Sequence, residues 1–228
     1  MAFNKEKYDQ ILSRGLCKGL SDADSVCIEG AIALANGEKL NHSPKCVAQG
    51  LHSLGIQMND LLVWESRESR SKGLYKFGLA QIGTRDTTTG LPTVNMPQFY
   101  LRLDDYIVSK AVVDCVLHAF HNVPEVLKVI HNSYVGKPFE FFTCLIEAAK
   151  TTNCDQKAIN AIKYMAEFME AGRYDAIALQ LHHLLINRCP KAGISQEFYV
   201  KYILKLARRV LSEMGHSNEF DSIWKEEK

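Results

Sequence analysis

The chain has 228 residues, 46% of them hydrophobic and 23% charged, with a formal net charge of +1. That length can bury the core of one large domain or two small ones, and that balance draws the chain to neither nucleic acid nor anionic membrane. No apolar run of about 18 residues marks a transmembrane helix, and the polar start MAFNKEKYDQ lacks the core of a signal peptide. Seven cysteines without tight spacing predict reduced thiols in a cytoplasmic protein rather than a disulfide framework.

The pattern is helical from the start. Ser21 with Asp24 three residues on reads as a capping box. It opens a helix over 26–35 that is apolar on almost every face and stops at Asn36-Gly37. Ser43-Pro44 reads as an N-cap and first-turn proline, predicting a helix to about residue 54 with Gly55 as its stop. Asn59 is a candidate cap for a further helix carrying Leu61, Leu62 and Trp64. The basic stretch 65–72 then separates it from helical spacing at Leu74, Phe77 and Ile82.

Residues 83–97, GTRDTTTGLPTVNMP, break the pattern with two glycines and two prolines among threonines. They predict a long ordered loop or interdomain connection. Beyond it, helices are expected near 98–121, 124–133, 138–150, 155–171, 174–188, 195–214 and 217–225. No useful stretch alternates with the strand period. The expected fold is all-α, a bundle of about ten helices, organised as an N-terminal helical module over 1–84 and a C-terminal bundle over 98–228. Residues 166–176 resemble the turn of a tetratricopeptide helix pair. They occur once, where such arrays need about three stacked repeats, so a single helical hairpin is expected.

Reactive side chains concentrate between residues 25 and 84. His42 and Cys46 stand four apart, and Cys17 and Cys27 would complete a four-ligand zinc set, although no close C-x-x-C pair supports it. Cys27 or Cys46 would serve as a thiol nucleophile with His42 as base and Glu29 or Asp60 orienting it. Cys46 is placed in the first turn of its predicted helix, where a thiol pKa falls. Cys27 sits in an apolar helix, where burial keeps a thiol neutral. A third constellation, Asp114, His118 and His121, shares one face of the helix after the loop and would suit a transition metal. His121 at the helix end and the neighbouring Val113, Val116, Leu117 and Phe120 favour a packing role. The basic residues Lys201, Lys205, Arg208 and Arg209, like Arg67, Arg70, Lys72 and Lys76, read as solvated faces rather than nucleic-acid surfaces. There is no phosphate-binding glycine loop, nucleophile elbow, H-E-x-x-H or kinase signature.

Taken in order, Cys27, Gly37-Glu38, Asn41-His42-Ser43-Pro44-Lys45-Cys46, Asn59-Asp60, Arg70 and Gly83-Thr84 resemble a group of uncharacterised bacterial and phage-encoded proteins. In that group a cysteine-led helix is followed by a turn ending in P-x-C, an N-D dipeptide, an arginine and a G-T ending. The likeness covers residues 20–84, about a quarter of the chain, and Asn41-His42 stands where Ser-Asp is the pattern. It implies a shared module with Cys27, Glu38, Cys46, Asn59 and Asp60 close in space, and no reaction. The residues themselves read structurally, Asn59 and Asp60 as helix caps and Glu38 as the partner of Arg70 under the turn. The function expected is that of a non-enzymatic interaction, assembly or accessory protein of a bacterial or phage system, cytoplasmic or within a virion. Self-association or a protein partner would be anchored by Trp64, Phe99, Tyr100, Phe139, Phe141 or Phe142. No cofactor, nucleic acid or membrane is expected. The alternative is a metal- or thiol-dependent hydrolase-like enzyme at His42 and Cys46, or at Asp114, His118 and His121 with zinc.

Overall fold

The computed structural model describes residues 3–19, 25–106 and 195–225, with the isolated positions 164, 167 and 171. Seven helices and no strand occur among the described residues; Arg85 and Pro92 form one isolated antiparallel bridge. The chain is helical in class, as its periodicity predicts. The helices expected over 107–194, the hairpin near 166–176 and the capping box at Ser21 and Asp24 lie outside the described residues, apart from those three positions. Two compact units divide the chain, Met1–Met96 with Ala207–Lys228, and Pro97–Leu206.

In the first unit, α1 (Lys5–Ser13) is capped by Asn4, whose side chain accepts the Lys7 N–H at 2.9 Å. The chain reverses at Gly15, at φ +83°, a conformation open to glycine because it has no Cβ. Helix α2 (Ile28–Ala35) is almost wholly buried, and α1, α3 (Gln49–Asp60) and α4 (Arg67–Gln81) all pack against it. A helix without a polar face belongs at the centre, and there it stands. Its C-terminus is the expected one: Asn36 is the C-cap and Gly37 follows at φ +77°. Its N-cap is Cys27.

Four sequence expectations fail between 43 and 72. Ser43-Pro44 opens a turn rather than a helix, closed by the Val47 N–H on the Pro44 carbonyl at 3.2 Å. Helix α3 begins at Gln49 and runs through Gly55 to Asp60. Asn59 ends that helix instead of starting another, and Leu61, Leu62 and Trp64 form the connection to α4. Trp64 turns inward and donates its indole N–H to the Met58 carbonyl at 2.9 Å. The basic stretch is the first half of α4, capped by Ser66, whose Oγ accepts the Ser69 N–H at 3.0 Å. Gly78 of α4 meets Tyr8 and Ile28 so closely that a Cβ there would lie 2.1 Å from the Tyr8 Oη.

Residues 83–95 form the expected ordered loop. Asp86 anchors it by accepting the N–H groups of Thr88 and Thr89, an Asx turn. Thr93 returns to the Thr84 carbonyl at 2.9 Å. The C-terminal helix α7 (Asp221–Lys225) packs on α4, and Asn218, just before it, donates to the Leu79 and Ile82 carbonyls at 3.0 Å each. The Leu79 carbonyl also takes the Ile82 N–H at 3.3 Å, so this side chain from over a hundred residues away adds a second donor there and supplies one to the carbonyl of the C-cap Ile82.

Helix α5 (Met96–Tyr106) lies almost entirely within the second unit and buries Phe99, Tyr100 and Leu103. Helix α6 (Gln196–Glu213) carries the predicted apolar stripe, with Tyr199, Ile203, Leu206, Val210 and Leu211 buried. Lys201, Lys205 and Arg209 are exposed. Lys201 pairs with the buried Glu197 at 2.5 Å, and Arg209 with Glu213 at 2.7 Å on the surface, the latter worth about 0.3–0.5 kcal/mol. Trp64, Phe99 and Tyr100, expected as interface anchors, are core residues; Phe139, Phe141 and Phe142 lie outside the described residues.

Candidate functional site

The polar residues of the cysteine-led module gather around the two ends of α2. Cys27 caps the helix, its Sγ accepting the Gly30 N–H at 3.4 Å. The same sulfur lies 3.3 Å from Nδ1 of His42, which the turn after α2 carries back to it. Glu38 organises that turn, accepting from the Asn36 side chain at 2.8 Å, the Asn41 side chain at 3.2 Å and the Lys45 N–H at 3.0 Å. The expected Glu38–Arg70 pair does not form: the Arg70 guanidinium donates to the Leu16 carbonyl at 2.9 Å.

Asn59 is buried where three segments meet. Its Oδ1 accepts the Ile28 N–H at 3.2 Å, and its Nδ2 donates to the Cys17 carbonyl at 2.9 Å and to Asp60 at 2.8 Å. It therefore satisfies an orphan donor of α2 from the end of α3, a cap supplied across the fold rather than along the chain. Asp60 accepts the Gly19 N–H at 2.8 Å. Neither it nor Glu29 orients His42: the Glu29 carboxylate faces Gly55 and Gln81. Thr84 plays the matching part at the start of α3, accepting the Ala48 N–H at 2.9 Å and donating to the Gln81 carbonyl at 2.6 Å.

Cys46 is not a first-turn thiol. It is buried in the turn before α3, its carbonyl accepting the N–H groups of Gly83 and Arg85. Burial first, then the charge of Glu38, pushes its thiol up to about 11. At about pH 8 the thiolate fraction of such a group is on the order of one in a thousand. Cys46 is accordingly expected to be alkylated by iodoacetamide at least about a hundredfold more slowly in the folded chain than in denaturant. Peptide-resolved mass spectrometry reads that ratio, and equal rates would sink the assignment.

Among the described residues, no three histidine, cysteine or carboxylate side chains are arranged to hold a metal ion. Cys17, Cys27, His42 and Cys46 thus do not form the zinc set that their order suggests. Cys17 is buried against the Val26 carbonyl, which accepts its N–H at 2.9 Å. Asp114, His118 and His121 lie outside the described residues. What the arrangement offers chemically is a thiol at a helix N-terminus with an imidazole beside it, the thiol only 2% exposed.

Sequence reasoning missed Gln81 and the cross-fold role of Thr84, and took Gly55 for a helix stop. The available signal was a glycine in mid-pattern between Leu54 and Met58, which marks a close approach as readily as an end. Compared with protein families, with curated proteins and with solved structures, the chain matches none. No described helix is long and apolar enough to cross a membrane.

Proposed function

We propose that this chain is a helical interaction or assembly protein, an accessory component of a bacterial or phage system that works in the cytoplasm or a virion through its surfaces. The observation that supports this reading is the use made of the module's polar residues. Cys27 caps α2, Glu38 closes its exit turn, Asn59 and Thr84 cap neighbouring helices, and Arg70 holds the Leu16 carbonyl. These five residues of the stretch that resembles the bacterial and phage-encoded group hold the fold, which supports reading it as a shared structural module. A bundle of about ten helices completes the architecture we propose, with self-association or a protein partner as its mode of action. Light scattering on untagged protein, run alongside elemental analysis for metal, tests this. A defined oligomer without stoichiometric metal is the expected result; a monomer carrying about one metal per chain would replace the reading with a metal enzyme, with Asp114, His118 and His121 the first residues to substitute.

One observation favours a second reading, a thiol enzyme: the 3.3 Å approach of the Cys27 sulfur to His42 at a helix N-terminus. It requires Cys27 to react faster than the remaining thiols at neutral pH and to lose that advantage in His42→Ala. Uniformly slow labelling removes it.

A further inference from the structure

The centre of the first unit holds an acid with nothing to neutralise it. Glu29 sits in the first turn of α2 and is fully buried. Among the described residues, neither of its carboxylate oxygens makes a well-formed hydrogen bond, although the Gln81 amide lies near enough to interact with it. One of them rests on α3 at Gly55, where a Cβ would lie 2.0 Å from it; the same Cβ would lie 3.3 Å from the Gln81 amide nitrogen at the end of α4. Gln81 is also fully buried, and neither of its amide atoms makes a well-formed hydrogen bond among the described residues. Three helices therefore close on one carboxyl and one carboxamide, and the glycine makes room for the first.

An ionised carboxylate at this position loses its hydration without a charged partner to replace it. The N-terminus of α2 returns only a small part of that. A neutral carboxylic acid suits the place: it carries one donor and one acceptor, the complement of an amide. The titratable groups that feel Glu29 are the Tyr8 phenol on α1 and the Cys46 thiol before α3, both neutral at physiological pH and both pushed up by burial. The other two elements packed on it present Gly55 and Gln81, which do not ionise.

We propose that Glu29 is a proton-operated latch: the α2–α3–α4 junction closes around its protonated carboxyl and Gln81, and loss of that proton opens the junction. Burial holds the Glu29 carboxyl well above the usual carboxylate range, the Gln81 amide opposing. A raised folded-state value gives a stability contribution that is complete below the unfolded value of about 4.5 and is lost as pH rises towards the folded value. The latch thus tightens in acid and slackens in alkali.

Glu29→Gln keeps the shape and removes the proton. Thermal midpoints of the two full-length chains, measured between about pH 5 and pH 9, are expected to diverge, the wild type falling relative to the variant as pH rises. An infrared difference spectrum, wild type minus variant, reads the same group in the folded chain without reference to stability. It is expected to show the carbonyl stretch of a protonated carboxylic acid at neutral pH, fading in alkali. A midpoint gap that stays constant with pH, or no acid band at neutral pH, overturns the proposal. Should the variant fold poorly, calorimetry of the wild type in buffers of differing ionisation enthalpy at about pH 8 decides: about one proton released on unfolding supports the latch, and none overturns it.

Discussion

Asn59→Ala is expected to destabilise the first unit by about 2–5 kcal/mol, a large share of the 5–15 kcal/mol that holds a typical domain together. The estimate follows from what the side chain leaves behind. The Ile28 N–H is one of the four donors at the start of α2 that no intrahelical carbonyl reaches, and Asn59 is its acceptor at 3.2 Å. The Cys17 carbonyl receives the other end of the same amide at 2.9 Å. Alanine strands both in the interior, at about 1–3 kcal/mol each, since water has no access to replace the bonds. Asp60→Ala is the contrasting substitution, because Asp60 is half-buried and its main loss is the bond from the Gly19 N–H. It is expected to cost about 1 kcal/mol. Urea denaturation of the three chains reads the difference. An Asn59→Ala chain within 1 kcal/mol of wild type, roughly the size of a single ordinary hydrogen bond, would show that Asn59 is not the cap described.

Gly15→Ala is expected to cost roughly 2–5 kcal/mol for two separable reasons. The backbone at φ +83° is strained for any residue with a Cβ, at about 1–2 kcal/mol. That Cβ would also stand 2.6 Å from the Cβ of Arg67, at the first residue of α4. Relief would mean moving the helix, and Leu16 is tied to it by its N–H on the Ser71 Oγ at 2.9 Å and its carbonyl on Arg70. Gly19 separates the two causes. It has nearly the same backbone, at φ +77°, yet a Cβ there would have nothing within 4 Å. Gly19→Ala should therefore lose only the backbone part. If both alanines cost the same in denaturant titrations, the close approach to Arg67 contributes nothing.

What the sequence made legible was local. The apolar run of α2, its Asn36-Gly37 stop, the Gly- and Pro-marked loop and the stripe of α6 each depend on neighbours within a few residues, and each was read correctly. The errors have one physical origin. Ser43-Pro44 carries a good local cap, yet α3 starts later because Thr84 supplies the Ala48 N–H with its acceptor from 36 positions away. Gly55 was read for its backbone freedom, whereas the structure uses its missing side chain. Leu61, Leu62 and Trp64 looked helical by apolar content. In the fold Trp64 is buried while Leu62 is 82% exposed, a split between near neighbours that composition does not record. The stretch 65–72 reads as a connection because its residues are mostly polar, whereas Ser66 caps α4 within it. The candidate site followed the same division: the approach of His42 to Cys27 depends on the Glu38 turn, and the silence of Cys46 depends on burial that only the fold reveals.

The bond from Asn218 to the end of α4 also bears on how the protein is made. The acceptors at Leu79 and Ile82 leave the ribosome long before their donor, with residues 97–206 synthesised in between as a separate unit. At about 5–20 residues per second, that wait is on the order of ten seconds. During it the nascent first unit carries an unfinished helix end and an uncovered face. Its final closure comes late in synthesis, after the whole of the other unit, and is slow by topology. A chain truncated before residue 218 would leave that end of α4 without its side-chain donor.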